Sequence, residues 1–168
     1  MTSKQRTGPI VKVGIAQMRV REAPTRMETM ALGSCLGIVL FDEENRIGAL
    51  AHVMHPRREL VKNNANRAKF VDSAIKLMLD RMVRRGASRE RIVAKIFGGA
   101  RMFEDVVGSK GVIQIGEENI TTARTELKAL GIPIVAERVG GSRGRTILFD
   151  VADGSVRVRD AYNREEIH

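Results

Sequence analysis

Short apolar segments separated by turn residues dominate this chain, and they limit it to a sheet-rich fold. Segments of strand length cover residues 10–20 (one strand or two short ones), 27–32, 36–42, 47–54, 91–97, 132–139, 146–151 and 155–158. The turn Asp-Glu-Glu-Asn at 42–45 separates two of them, and Asp153-Gly154 is a two-residue hairpin signal. The strands follow one another largely in hairpin order, which favours antiparallel or mixed pairing.

Only two segments have helical periodicity. Apolar residues recur at helical spacing from Val71 to Met82, and Gly86 follows a basic last turn as a C-cap. A second helix is predicted over residues 121–130, with Gly131 as its C-cap, after a loop that runs from the Gly98-Gly99 pair to Gly111. The pattern predicts an α+β fold, an α/β sandwich with a mostly antiparallel or mixed sheet and two main helices.

The length of 168 residues suits one domain. We expect a flexible N-terminus over residues 1–9, a single domain over residues 10–158, and a charged, disordered C-terminal tail over residues 159–168. No apolar run approaches the ~20 residues of a membrane helix, so direct membrane insertion is not expected. No secretory signal is visible, which predicts a cytoplasmic protein.

The charge and the cysteine content of the chain limit the kinds of partner and of site that it can have. Lys and Arg total 29 against 20 Asp and Glu, a net charge of +9 that suits an anionic partner. The chain has no Trp and one Tyr, which disfavours a nucleic-acid-binding domain that stacks bases on aromatic rings. A single cysteine excludes an internal disulfide and a multi-cysteine metal site.

Cys35 and His52 are the candidates for chemistry. Cys35 lies among small residues, and counting inward from the 42–45 turn puts His52 level with it across a hairpin. A cysteine nucleophile with a histidine base is one interpretation. A buried inert thiol and a structural histidine remain alternatives. A metal site formed by Cys35, His52 and His55 is disfavoured, since Pro56 makes a helix there unfavourable and no carboxylate is near.

A series of short motifs runs through the chain in order. The first two are Thr-Met-Ala-Leu-Gly-Ser-Cys at 29–35 and Gly-Ala-Leu-Ala-His at 48–52. The others are Val-Asp-Ser-Ala-Ile at 71–75, Lys-Ile-Phe-Gly-Gly-Ala at 95–100, Ile-Gly-Glu-Glu-Asn at 115–119, Gly-Ile-Pro-Ile-Val-Ala-Glu at 131–137, and Val-Gly-Gly at 139–141 with Gly144-Arg145. This ordered set, across residues 10–158, resembles the CheD family of chemoreceptor glutamine deamidases.

The resemblance implies an enzyme that converts glutamine side chains of methyl-accepting chemotaxis receptors to glutamate through a thioester, with release of ammonia. It places the family's catalytic cysteine, histidine and threonine on Cys35, His52 and Thr29. The backbone at Gly33, Ser34 and Cys35 is expected to support the oxyanion, and no cofactor or metal is expected. If His52 lowers the pKa of the thiol, Cys35 should react faster than a free cysteine peptide.

The resemblance also implies a fold related to toxin-type deamidases. It further implies acidic, glutamate- and glutamine-rich receptor helices as the partner, and for some members a CheC-type phosphatase and receptor methylesterase activity. His55 stands where the family pattern leads us to expect an aliphatic residue, which bears on substrate or partner detail. A non-catalytic adaptor that binds receptors or a phosphatase with the same fold remains the alternative.

Overall fold

The structure, a computed structural model, describes residues 8–101 and 110–168, with side chains from residue 115 onward in the second range. These residues form ten strands and two α-helices. The strands are β1 (Ile10–Lys12), β2 (Met18–Glu22), β3 (Arg26–Leu32), β4 (Leu36–Asp42), β5 (Ile47–Val53), β6 (Val93–Gly98), β7 (Ile134–Val139), β8 (Arg145–Asp150), β9 (Val156–Asp160) and β10 (Glu165–Ile167). The helices are α1 (Val71–Arg84) and α2 (Lys110–Ala129).

The strands form two five-stranded sheets. The first sheet has the order β1-β3-β8-β9-β10, and the second has the order β2-β5-β4-β6-β7. The pairs β1–β3 and β6–β7 are parallel, and the remaining pairs are antiparallel. The predicted α+β class, with mixed sheets and two helices, is confirmed.

The second sheet is the middle layer of the molecule. Every residue of β4 and β5 is buried, because α1 and α2 cover one face of this sheet and the first sheet covers the other. Such double burial explains why both strands read as nearly continuous apolar runs. Ile38 and Leu40 pack with the helices, whereas Val39 and Phe41 pack against the first sheet around Phe149.

The predicted α1 is confirmed, while α2 begins earlier than the sequence suggested. It starts at Lys110 rather than at residue 121, so the end of the predicted loop is helical. Residues 102–109 of that loop lie outside the described residues. Ile120, Ala123 and Leu127, which recur at helical spacing, are all buried against the second sheet.

The prediction of a disordered tail is wrong, because the tail forms β10 on the edge of the first sheet. Glu165, Glu166 and Ile167 pair with β9, and all three residues of β10 are exposed. Two exposed ion pairs accompany this backbone pairing: Arg157 to Glu165 at 2.9 Å and Arg138 to Glu166 at 3.0 Å. A pattern search for alternating apolar residues therefore misses this strand.

The N-terminal segment divides between the two sheets. The predicted extended stretch over residues 10–20 forms β1 in the first sheet and β2 begins at Met18 in the second. Residues 1–7 of the predicted flexible N-terminus lie outside the described residues. Gly8 and Pro9 are held to β3, since their carbonyls accept hydrogen bonds from the side chain and backbone of Arg26.

Candidate active site

Cys35 and His52 lie on the face of the second sheet that packs against the first sheet. Gly37 of β4 is directly opposite His52 of β5, and Cys35 precedes Gly37 by two residues. Cys35 packs against the apolar cluster between the sheets. The two side chains are therefore diagonal neighbours on one face, a relation in which Cα atoms are about 7–8 Å apart and long side chains can meet.

The prediction that Cys35 is level with His52 is wrong by two residues. Asp42 pairs with Ile47 and not with Asn45, so the hairpin turn holds four residues. A shift of two residues preserves the face on which each side chain lies, whereas a shift of one would have separated them. The error thus changes the distance between the two candidates but leaves them in the same layer.

His52 is tied across the sheets to Thr29 of β3. The Thr29 hydroxyl oxygen lies 2.7 Å from His52 Nδ1 and 2.7 Å from the Val13 carbonyl oxygen, and both side chains are buried. A carbonyl only accepts, so the single hydroxyl hydrogen goes to Val13 and the hydroxyl accepts from Nδ1–H. This arrangement assigns the Nδ1–H tautomer to His52 and leaves the Nε2 lone pair available as a base.

A β-bulge in β3 positions Thr29. The register of β3 with β8 shifts between Thr29 and Leu32, and Ala31 has a φ of 57°. Thr29 and Leu32 are both buried, although they are three positions apart, while Met30 between them is 53% exposed. An uninterrupted strand would turn one of the two outward, so the extra residue lets both face the layer between the sheets.

Burial keeps both reactive groups in their neutral forms. It lowers the pKa of His52 to about 4, and it raises the pKa of the Cys35 thiol, which the backbone N–H of Cys35 opposes. The expectation of a thiol made more acidic by His52 is therefore not met in the free protein. Among the described residues, His52 Nε2 has no hydrogen-bond partner, so no hydrogen bond joins it to the Cys35 sulfur.

Three consecutive carbonyls of the loop that carries Cys35 accept hydrogen bonds. The Ala100 N–H donates to Gly33 O at 2.8 Å, and the Gly99 N–H donates to Cys35 O at 2.9 Å. The carbonyl between them, Ser34 O, accepts from the Asn119 side chain of α2 at 3.1 Å. The loop at Gly33, Ser34 and Cys35 is half-buried and open to solvent on one side.

Asn119 was missed as a functional residue, although it stands in one of the quoted motifs. It lies two residues before the predicted start of the second helix, and the signal was its spacing of four residues from Ala123, which puts it in line with the apolar residues Ala123 and Leu127 once the helix is extended. Two further features left no signal in the sequence. One is the bulge at Met30 and Ala31, and the other is the acceptor at Val13, which is a backbone carbonyl.

His55 lies apart from His52. Its ring packs on Phe70, with the ring centroids 6.0 Å apart, and burial and then the charge of Lys69 lower its pKa. Within residues 8–101 and 110–168, no group of three or more His, Cys, Asp or Glu side chains is placed to hold a metal ion. The structure thus sets His55 against the helix that follows it and not against Cys35.

An arginine-lined cavity of about 340 Å³ is lined by residues of β7 to β10 and of the turn at residues 141–143. Its wall includes four arginines and two acidic residues: Arg138, Arg143, Arg145, Arg164, Asp160 and Glu166. Arg145 pairs with Leu32 across β3 and β8, and its guanidinium donates to Gly98 O at 3.2 Å and to Gly140 O at 2.7 Å. Since Leu32 and the partner of Gly98, Leu36, stand at the two ends of the Cys35 loop, Arg145 connects the cavity to that loop.

Comparisons with known proteins agree with the resemblance. A family model described as CheD chemotactic sensory transduction matches residues 54–160. A Moorella thermoacetica protein named "Probable chemoreceptor glutamine deamidase CheD" is 47% identical over 149 residues, or 89% of each chain. A Thermococcus kodakarensis protein of the same name is 43% identical over 157 residues, which cover 94% of this chain and 96% of its own.

A solved structure shares the fold. The crystal structure of the Neisseria meningitidis protein NMB0706, of the DUF152 family, superposes with a TM-score of 0.52 at 12% identity. The match covers 84% of this chain and 75% of that one. As for membrane association, neither described helix combines the length and the apolar character that a bilayer span requires.

Proposed function

Because the chain belongs to the CheD family, we propose that it removes the side-chain amide of glutamine residues in chemoreceptors, producing glutamate and ammonia. Cys35 is the nucleophile, His52 the general base and acid, and Thr29 the residue that orients His52. The observation that carries this assignment is the buried Thr29–His52 hydrogen bond. It presents an unprotonated Nε2 in the layer where Cys35 also lies, which is what a cysteine nucleophile needs from its base.

The first half of the reaction forms a thioester. His52 Nε2 takes the thiol proton of Cys35, and the sulfur attacks the glutamine δ-carbon, so that the carbonyl oxygen becomes an oxyanion. Backbone N–H groups of Ser34 and Cys35 stabilise that oxyanion. The imidazolium then gives its proton to the amide nitrogen, the carbon–nitrogen bond breaks and ammonia leaves.

The second half hydrolyses the thioester. A water molecule attacks the same carbon while His52 Nε2 accepts one of its protons. The carbon–sulfur bond breaks, the imidazolium returns the proton to the sulfur, and glutamate leaves. Each proton moves through one nitrogen, because the Thr29 hydroxyl holds the other ring nitrogen in its protonated form.

The arginine-lined cavity supports an acidic substrate. Four arginines against two acidic side chains leave positive charge in this cavity, on a chain whose net charge is +9. Such a surface attracts acidic protein helices and raises the rate of encounter. We assign the docking of the receptor helix to this side of the molecule, where Arg145 pairs with Leu32 at the start of the loop.

The decisive experiment incubates purified receptor with the protein and follows ammonia and the receptor's mass spectrum together. Conversion of glutamine to glutamate should appear with wild type and disappear with Cys35→Ala, while His55→Ala serves as the active control. Receptor binding without ammonia release by wild type would support the non-catalytic adaptor instead. Substantial release by a folded Cys35→Ala protein would refute the nucleophile assignment.

Two finer expectations concern a second reaction at Cys35 and a second partner. A receptor methyl ester could form the same thioester at Cys35, with methanol leaving in place of ammonia. A CheC-type phosphatase is the second partner that family membership supports, and co-purification with such a protein tests it. The reaction is assigned to the cytoplasm, as the family resemblance implies.

A further inference from the structure

Asn119 is a fully buried amide that joins two segments of the site. Its Nδ2 donates to Ser34 O at 3.1 Å and to Met54 O at 3.2 Å. Ser34 precedes Cys35, and Met54 follows His52 by two residues. Because both partners are carbonyls, the NH₂ group must face them, and Asn119 Oδ1 is left buried with no partner among the described residues.

The bond to Ser34 O fixes the direction of the Cys35 N–H. These two groups belong to one peptide unit, which is planar and trans, so they point in opposite directions. With the Ser34 carbonyl held towards α2, the Cys35 N–H points away from α2. The Ala100 N–H holds the Gly33 carbonyl in the same way and thereby sets the direction of the Ser34 N–H.

These two N–H groups are available to a substrate oxygen. Among the described residues, neither the Ser34 N–H nor the Cys35 N–H donates to another residue. The Cys35 N–H also acts on the thiol of its own residue, where it offsets part of the effect of burial on the pKa. Because this N–H belongs to the residue that bears the sulfur, it lies close to the atom that attacks the substrate carbonyl, beside which the oxyanion would form.

The helix that carries Asn119 is held closely against the loop. A Cβ on Gly116 would lie 2.9 Å from Gly99 O, and a Cβ on Gly99 would lie 2.6 Å from the Ile120 side chain. Such distances allow only glycine at these two positions without a shift of the backbone or the side chain. The close approach of α2 to the residues that hold Gly33 O and Cys35 O leaves Asn119 little freedom to move.

We propose that Asn119 is a positioning residue, which holds the Ser34–Cys35 peptide so that its N–H faces the oxyanion of the deamidation reaction. This proposal rests on the proposed function. Asn119 does not touch the substrate; it acts through the peptide that it holds. It also fixes the end of β5, so that the loop of Cys35 and the strand of His52 keep one relative position.

The experiment compares two variants of Asn119 with a matched control on the same helix. Asn119→Leu keeps the approximate volume of the side chain and removes both donors, and Asn119→Ala removes the amide together with part of that volume. Thr122→Val is the control, because Thr122 is also buried on α2 and none of the described hydrogen bonds joins it to either segment. Stability of each protein is measured by thermal unfolding, and rates are expressed per folded enzyme.

We expect kcat on receptor to fall by about 10- to 100-fold in both Asn119 variants, with KM within about twofold of wild type. This is less than the loss of about 100- to 1000-fold on removing one oxyanion donor outright, because the Cys35 N–H stays in the chain and is only misaligned. Thr122→Val should keep the wild-type kcat. A purely structural asparagine would lower the melting temperature and leave the kcat of the folded fraction unchanged. Values of kcat within about twofold of wild type in both variants would therefore overturn the proposal.

A second measurement does not depend on turnover or on the folding of a variant. A peptide that carries an aldehyde in place of the glutamine amide adds to the Cys35 sulfur, and the former carbonyl oxygen occupies the oxyanion position. In ¹⁵N-labelled wild type, the amide proton of Cys35 should shift downfield when the adduct forms. An unshifted Cys35 amide in the adduct would overturn the proposal even if ammonia release is normal. A wild type that neither releases ammonia nor adds the aldehyde would instead refute the proposed function.

Discussion

Replacing Thr29 by valine removes the hydroxyl while keeping the shape of the side chain. The hydroxyl is the acceptor for His52 Nδ1–H and the donor to the Val13 carbonyl, both at 2.7 Å and both buried. Valine can do neither, so the imidazole loses the contact that selects its tautomer. Thr29→Ser is the matched control, because it removes only the methyl group and keeps the hydroxyl.

The size of the effect follows from the two bonds that are lost. A buried polar group left without its partner costs about 1–3 kcal/mol. If the preference of His52 for the Nδ1–H form falls by that amount, Nε2 is less often the free base, and kcat falls by about 5- to 150-fold. The free energy of unfolding falls as well, because the Val13 carbonyl is left unpaired, so rates must be normalised to the folded fraction.

The assay is ammonia release from receptor at saturating substrate, with ¹⁵N chemical shifts of the His52 ring as a readout that does not need activity. Wild type and Thr29→Ser should show a protonated Nδ1, whereas Thr29→Val should show a mixture of tautomers and the lower kcat. A protonated Nε2 in the wild type would refute the tautomer assignment. So would a Thr29→Val enzyme as active as Thr29→Ser in which the tautomer ratio is unchanged.

Three further predictions concern the two histidines, the pH dependence of stability and the basic surface. His52→Ala should lose as much activity as Cys35→Ala, while His55→Ala should stay close to wild type because its ring packs on Phe70; the reverse result would show that the wrong histidine is assigned. Because burial lowers the pKa of His52 from 6.5 to about 4, the unfolded chain binds more protons between those values. The free energy of unfolding should therefore fall by about 3 kcal/mol as the pH drops through that window, and His52→Gln should flatten the fall; equal slopes in chemical unfolding would contradict a buried neutral imidazole. Finally, kcat/KM on receptor should fall several-fold from about 50 to about 500 mM NaCl while kcat stays nearly constant. A salt-independent kcat/KM would show that surface charge does not contribute to receptor recognition.

Sequence periodicity was sufficient to predict an element where one face of it, or every face, is buried along its whole length. The helix from Val71 to Arg84 was predicted because its apolar residues recur at helical spacing, and the buried strand β4 was predicted because both of its faces are covered. The class of fold follows from such elements. Strand β10 was not predicted, because backbone pairing and ion pairs such as Arg157 to Glu165 stabilise it, and neither leaves an apolar pattern.

The sequence indicated candidate site residues but not their geometry. Thr29, Cys35 and His52 stand out by residue type and by resemblance, whereas the distance between Cys35 and His52 depends on the length of a turn. Asp42 accepts hydrogen bonds from Asn45 within that turn, so these two residues do not form the expected strand pair, and the register moves by two. Turn length is decided by such local bonds, which the count of residues cannot reveal.

Because Cys35 and His52 are both neutral at rest, the site has to stabilise the charges that form during the reaction. Thr29 is uncharged and does not stabilise an imidazolium on His52 as a carboxylate would. Burial further disfavours the imidazolium, so charge separates only when the thiol attacks. In the proposed reaction two charges then form together, a positive one on His52 and a negative one on the substrate oxygen. The first is offset by the Thr29 hydroxyl, and the second by the N–H groups of the loop that Asn119 and Ala100 hold in place. A cysteine site of this kind therefore depends on preorganised backbone donors more than on a thiolate formed in advance, which is why the contacts of the Cys35 loop with α2 matter to the chemistry.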